Sequence, residues 1–196
     1  MKKQRIRLSL LAGVCLIGCS LLVTVLFQVQ LHRTARQNAA VTAQLDALLP
    51  AKTAGITEEY NDTAMPVLEI DGTDYAALLE IPSHGVTLPI ADRWEKRWLS
   101  PRVGRFCGSA YDGTLVIGGA DHPSQFGFCD EIEHDTVLTV TDMAGAQFSY
   151  AVFRVDRVKN ATGEWLCDAE SDLTLFCRDA QTFEYVAARC HLLGDS

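Results

Sequence analysis

The hydrophobic pattern divides the chain into three stretches of different character. From Leu8 to Leu31 no residue is charged, and Leu8 to Phe27 is almost continuously apolar. Twenty such residues in a helix rise about 30 Å, the thickness of a bilayer's hydrocarbon core. From Thr34 to Leu49 the run of Ala35, Ala39, Ala43, Leu45, Leu48 and Leu49 forms a weak stripe at helical spacing, which Pro50 stops. Residues 51–66 have no period and many turn formers, as a linker does. Beyond residue 67 short runs of alternating apolar residues, rich in Val, Thr, Phe and Tyr, predict strands near 75–81, 86–90, 114–118, 136–141, 147–158, 173–176 and 184–192. Asp142-Met143-Ala144-Gly145 separates two of them and predicts a hairpin turn.

Charge orients the first stretch. Lys2, Lys3, Arg5 and Arg7 precede the apolar run, which predicts a cytoplasmic tail over 1–7, a transmembrane anchor over 8–31, and an exported body. No clear small-residue site marks a cleaved signal peptide. Leu16-Ile17-Gly18-Cys19 offers a competing lipoprotein reading with Cys19 lipidated, but the apolar run continues from Ser20 to Phe27. Spanning is the preferred reading. Four of the 17 basic residues sit in the tail, so the rest of the chain holds 13 against 25 acidic ones. Such an acidic body excludes nucleic acid as a partner, because phosphate binding needs a basic patch.

The predicted organisation is therefore tail, anchor, a stalk and linker over 32–66, an all-β domain over 67–193, and a short tail at 194–196. About seven or eight strands within roughly 125 residues predict a closed barrel or a sandwich.

Several runs resemble the sortases, and the opening strands resemble class B-like members. The matching pieces are Leu78-Leu79-Glu80-Ile81-Pro82 with Val86-Thr87-Leu88-Pro89-Ile90, then Gly108-Ser109-Ala110-Tyr111 with Leu115-Val116-Ile117-Gly118-Gly119. Ser124-Gln125-Phe126-Gly127, Val137 to Asp142, and Asp172-Leu173-Thr174-Leu175-Phe176 follow in the family's order. The resemblance covers 67–193, with extra residues near 159–171. It implies a closed β-barrel with short helices, held by its anchor on the outer face of a Gram-positive cell.

It also implies cysteine transpeptidation, which needs a thiolate nucleophile, a proton donor and an oxyanion stabiliser. The family supplies Cys, His and Arg. In Ile117-Gly118-Gly119-Ala120-Asp121 the histidine position holds Ala120; in Thr174-Leu175-Phe176-Cys177-Arg178 the cysteine position holds Arg178. The arginine position holds Tyr185. The expectation is a site without catalytic residues. The fallback is a slipped pair, Cys177 with His122, but a one-residue slip along a strand turns Cys177 to the opposite face.

Five cysteines lie in the expected exported body (Cys107, Cys129, Cys167, Cys177 and Cys190), and spacing alone cannot pair them. His84, His134 and His191 have no ligand spacing, so no metal or cofactor is expected. Asp121, Asp130, Glu131, Glu133 and Asp135 are read as a solvated acidic loop rather than a calcium site. Trp94 and Trp98 are expected to cover the barrel end, and Asn160-Ala161-Thr162 is a sequon without a functional reading. Three functions remain open at this point. The first is a non-catalytic sortase-like protein that binds a surface polypeptide, a pilin-like chain or a true sortase. The second is a transpeptidase with a displaced site, and the third is an exported scaffold.

Overall fold

The computed structural model describes residues 2–50, 53–54, 64–95, 102–129 and 131–194. They form two compact units, 1–37 and 38–196.

Helix α1 (Lys2–Leu48) begins in the first unit and ends in the second. Its stretch Cys15–Leu48 is long and apolar enough to cross a membrane, and none of its apolar window is buried. Leu16, Ile17, Leu21, Leu22, Val25, Leu26 and Phe27 are all exposed. A bare apolar helix of this length fits a membrane span. The expected anchor and stalk are thus one continuous helix.

The second unit opens on the last turns of that helix. Leu45 is fully buried against Ile70 and Tyr75, flanked by Val41, Leu68 and Met143. The Asn38 side-chain amide donates to the Ser124 carbonyl (3.1 Å). Residues 38–48, which the sequence pattern puts in a stalk, therefore pack as part of the folded body. Most of the expected linker lies outside the described residues.

The strands are β1 (Thr53–Ala54), β2 (Leu68–Ile70), β3 (Thr73–Ile81), β4 (Val86–Ala91), β5 (Val103–Cys107), β6 (Leu115–Gly118), β7 (Val137–Asp142), β8 (Ala146–Val158), β9 (Leu173–Arg178) and β10 (Tyr185–Leu192). Hydrogen bonding runs β3–β4–β5–β6–β9–β10–β8–β7 and returns to β3, which closes an eight-stranded barrel. β2 pairs with β3, and β1 pairs with β8, outside that circuit. Closure leaves no free edge among the eight.

Period-two alternation fills the barrel. Leu115 and Ile117, Leu138 and Val140, Leu173, Leu175 and Cys177, and Val186, Ala188 and Cys190 all join one interior cluster. A register shift between Tyr75 and Ala77 breaks the alternation of β3. It sends Tyr75 outward to Leu45, while Ala77, Leu79 and Ile81 stay inside. The hairpin turn forms where the sequence predicts it. Asp142 caps it by accepting from the Ala144 and Ala146 N–H groups (2.9 and 2.8 Å), and Gly145 takes a positive φ of 87°.

β5 has no counterpart among the predicted strands. Val103-Gly104-Arg105-Phe106-Cys107 shows no clean alternation, and pairing with β4 and β6 decides its conformation.

Candidate functional site

The outer face of the barrel at the C-terminal ends of β6 and β9 gathers the residues of interest. These two strands run parallel, with Leu115 opposite Leu173 and Gly118 opposite Phe176. The Gly119 N–H donates to the Phe176 carbonyl (3.0 Å) and carries the pairing onward. Ala120 and Arg178 each lie two residues beyond the last pair. The antiparallel β10 then sets Tyr185 directly opposite Arg178. One end of one face therefore holds Ala120, Arg178 and Tyr185, as strand parity requires.

The same parity directs Cys177 elsewhere. Leu173, Leu175 and Cys177 point into the barrel, while Phe176 packs outside with Val116, Ala187 and Leu166. Cys177 is 2% exposed and surrounded by core side chains.

Arg178 is exposed and folds back over its own turn. Its Nε–H donates to the Phe183 carbonyl (3.1 Å), and its guanidinium lies 5.5 Å from the Phe183 ring and 5.7 Å from the Tyr185 ring. Phe183 has φ of 60°, a left-handed conformation that a bulky side chain rarely adopts. Asp179 organises this turn by accepting from the Gln181 and Thr182 N–H groups (2.7 and 3.0 Å). Those backbone donors hold its carboxyl below the usual carboxylate range, and Arg157 adds to the effect.

The loop after β6 is tied down by its own polar groups. The Ala120 N–H donates to Oε1 of buried Gln125 (2.8 Å), and the Ala180 N–H donates to Asp121 Oδ2 (2.9 Å). The second bond joins this loop to the β9–β10 turn. His122 Nδ1 accepts from the Ser124 N–H (3.1 Å) and lies 2.7 Å from Ser124 Oγ. That arrangement assigns the ring proton of the neutral imidazole to Nε2, which is buried without a hydrogen-bond partner. Burial lowers the His122 pKa, against an opposing pull from Asp121. Neither ring nitrogen of His122 bonds to Cys177.

Aromatic side chains close the opposite side of the face. Trp94, Phe106 and Phe176 meet edge to face, with ring centroids 5.1 to 5.9 Å apart. Gly118 makes room for them: a Cβ there would lie 2.7 Å from Phe176 and 2.8 Å from Trp94 Nε1. Trp94 thus covers the outer face beside β6, in place of the barrel end expected for it, and Trp98 lies outside the described residues. An Arg105–Asp92 ion pair and the Trp94 N–H bond to the Arg105 carbonyl (2.8 Å) fix the segment that carries Trp94.

The extra residues 159–171 form the third side. They contain one helical turn, α2 (Gly163–Leu166), whose N-cap is Thr162 of the sequon (Thr162 Oγ1 accepts from the Trp165 N–H at 3.1 Å). Arg189 holds the segment from below. Its side chain is 1% exposed, donates to the Leu166 carbonyl (2.9 Å), the Trp165 carbonyl and Thr174 Oγ1 (3.0 Å), and stacks 4.7 Å from the Trp165 ring. Arg189, Phe183 and the Trp94 cluster were not anticipated as parts of the site. The only signals in the sequence were the outward parity of Phe176 and a glycine within β6.

Among the described residues no group of three or more His, Cys, Asp or Glu is placed to hold a metal ion. Of the acidic run, Asp121 serves the loop, Glu131, Glu133 and Asp135 are exposed, and Asp130 lies outside the described residues.

Comparison of the whole architecture identifies it. The domain has the sortase fold. Sortase C1 from Streptococcus agalactiae superposes with a TM-score of 0.56 at 20% identity, over 65% of this chain and 72% of that one. Sortase A from Corynebacterium diphtheriae gives 0.54 at 17% identity, over 86% and 85%. A sortase C from Clostridium perfringens, solved with the C-terminal cell wall sorting motif, gives 0.51 at 16% identity, over 85% and 89%. The sequence itself matches no family model and no curated protein. At these identities the likeness carries the fold, and the site must be argued from its own residues.

Proposed function

We propose that this chain is a membrane-anchored sortase-family protein, class B-like in its opening strands, whose groove binds a polypeptide without cleaving it. Residues 8–31 are its anchor, the N-terminus is cytoplasmic, and the barrel lies outside the cell. The partner is a surface or pilin-like polypeptide, or a true sortase. The observation that carries this reading is the register at the end of β9. The outward position beside Tyr185 is occupied by Arg178, and the neighbouring thiol, Cys177, is turned into the core. A covalent acyl transfer needs an exposed nucleophile within reach of a base. Here the outward position holds a cation, and His122 is hydrogen-bonded to its own loop.

What this face offers instead is recognition. Arg178 is exposed, and among the described residues no carboxylate pairs with it. Its guanidinium suits a peptide carboxylate or carbonyl, and the aromatic wall suits an apolar side chain. A sortase C of the same fold was solved with the C-terminal cell wall sorting motif, which supports a peptide as the ligand.

The test uses the full chain in detergent, a library of sorting-motif peptides and an amine acceptor, with mass spectrometry as the readout. The expected result is no cleavage and no thioester adduct, together with peptide binding that Arg178→Gln weakens about tenfold, equivalent to ~1.4 kcal/mol. Turnover that disappears in Cys177→Ala and His122→Ala variants would overturn the proposal in favour of a displaced catalytic pair.

A further inference from the structure

We infer that Cys107 and Cys167 form a disulfide that pins the 159–171 segment to β5 and so fixes one wall of the groove. The two residues are 60 positions apart in sequence, yet their sulfurs lie 2.9 Å from one another. That is closer than two unbonded sulfurs ordinarily approach, and a bond of about 2.05 Å needs less than 1 Å of further movement.

The surroundings favour the pair over the other cysteines of the barrel. Cys129, Cys177 and Cys190 are buried in the barrel interior. Cys107 is half-buried on the outer face, against the cluster of Val116, Leu166, Phe176 and Ala187, and Cys167 directly follows α2 and is exposed. Burial, with the Cys167 thiol beside it, pushes the Cys107 thiol up to about 12. Cys107 is thus a poor first nucleophile, and the exposed Cys167 is the entry point.

The step balances with an external disulfide as oxidant, supplied outside the cell by a thiol–disulfide exchange protein or a small-molecule disulfide. The Cys167 thiolate attacks one sulfur of that disulfide and expels the first thiolate. Cys107 loses its proton and attacks the Cys167 sulfur, expelling the second thiolate. The cysteine pair gives up two electrons and two protons, and the oxidant becomes two thiols. Inside the cell the same pair would stay reduced. The inference therefore rests on the proposed export of the domain, though not on the groove being inactive.

Two arms test it separately. In the first, the full chain in detergent is equilibrated in a glutathione redox buffer, alkylated and digested without reduction. The expected product is a cross-linked peptide pair containing Cys107 and Cys167, two hydrogens lighter than the free peptides. Failure to form it, or pairing of either cysteine with a different one, overturns the inference. In the second arm the chain is trapped with alkylating agent in intact, aerobically grown cells, and external protease is added to a parallel sample. A cross-linked pair in a protease-accessible domain is the expected result. Alkylated Cys107 and Cys167 in an accessible domain overturn the disulfide. The same alkylation in a protected domain overturns the export reading and the disulfide with it. As a structural readout, reductant should lower the melting midpoint of the native chain by several degrees and leave a Cys107→Ser/Cys167→Ser chain unchanged. An equal response of both chains overturns the pinning role.

Discussion

Arg189 gives the sharpest check on how the 159–171 segment is held. The perturbation is Arg189→Met, which keeps the bulk and apolar stem while removing the guanidinium. In the native chain that group is 1% exposed, and it meets two backbone carbonyls, a threonine hydroxyl and Asp156 (3.3 Å). Removing one member of a buried charged network costs ~3–5 kcal/mol, because the partners are left unpaired. Asp156 and Asp168 are only about three-quarters buried, at 26% and 23% exposed, and both keep Arg154 as a partner. The lower end, ~3 kcal/mol, is therefore expected. For a chain of this size each kcal/mol moves the melting midpoint by roughly 2–4 °C, so Arg189→Met should melt about 6–12 °C lower. Circular dichroism of the full chain in detergent at neutral pH measures this. Arg189→Lys should fall between the two, because an ammonium keeps the charge and loses the fork that reaches both carbonyls. A Met variant melting within about 2 °C of the native chain would refute the reasoning, since it would mean the carbonyls of Trp165 and Leu166 are satisfied without Arg189.

Gly118→Ala should push Trp94 off the outer face, at a cost of ~1–3 kcal/mol for overpacking. Tryptophan emission shifted to the red reports this, and an unchanged spectrum with unchanged stability would contradict the contact. The lowered pKa of His122 means that the unfolded chain binds a proton more readily than the folded one as pH falls below about 6.5. The His122 contribution is therefore present above that pH and is lost as pH drops towards the folded value; His122→Gln should flatten the stability profile there, and an unaltered slope would show that the ring is not desolvated. On the proposed reading, placing the family residues together (Ala120→His, Arg178→Cys, Tyr185→Arg) should give a thioester adduct with a sorting-motif peptide, and the native chain should give none. An introduced thiol that resists alkylation, and so faces the core, would show that the register at β9 had been misread.

Most of the barrel was legible because its strands alternate. β3, β4, β6, β7, β8 and β10 fall within about two residues of their predicted spans, and β9 continues to Arg178. What was missed had no local signal. β5 is made by its neighbours, β1 and β2 are two and three residues long, and the last turns of α1 belong to the body because Leu45 finds Ile70 and Tyr75 across the fold. Parity alone put Cys177 inside. The Cys107–Cys167 approach was not readable, since 60 residues separate a strand from a helical turn and nothing in the spacing selects that pair. The packing of Trp94 against Gly118 was likewise invisible, because it depends on which residue of a loop reaches the sheet.

On the proposed reading, the residues at the three family positions form one arrangement rather than three independent losses. In the resemblance to the family, the cation belongs at the position of Tyr185 and the thiol at that of Arg178. Here the cation stands on β9, and the residue opposite it on β10 is an aromatic ring 5.7 Å from its guanidinium. Phe183, held in a strained backbone conformation, supplies a second ring and a carbonyl for the same guanidinium. A site decaying without constraint has no reason to keep a positive charge at the same end of the face, or to build two aromatic supports for it. A guanidinium at the nucleophile's position is the pattern that the proposed binding without turnover requires, because it holds a peptide oxygen whether or not a thiolate stands beside it. Trp94 and the 159–171 segment then bound the surface on which such a peptide would lie.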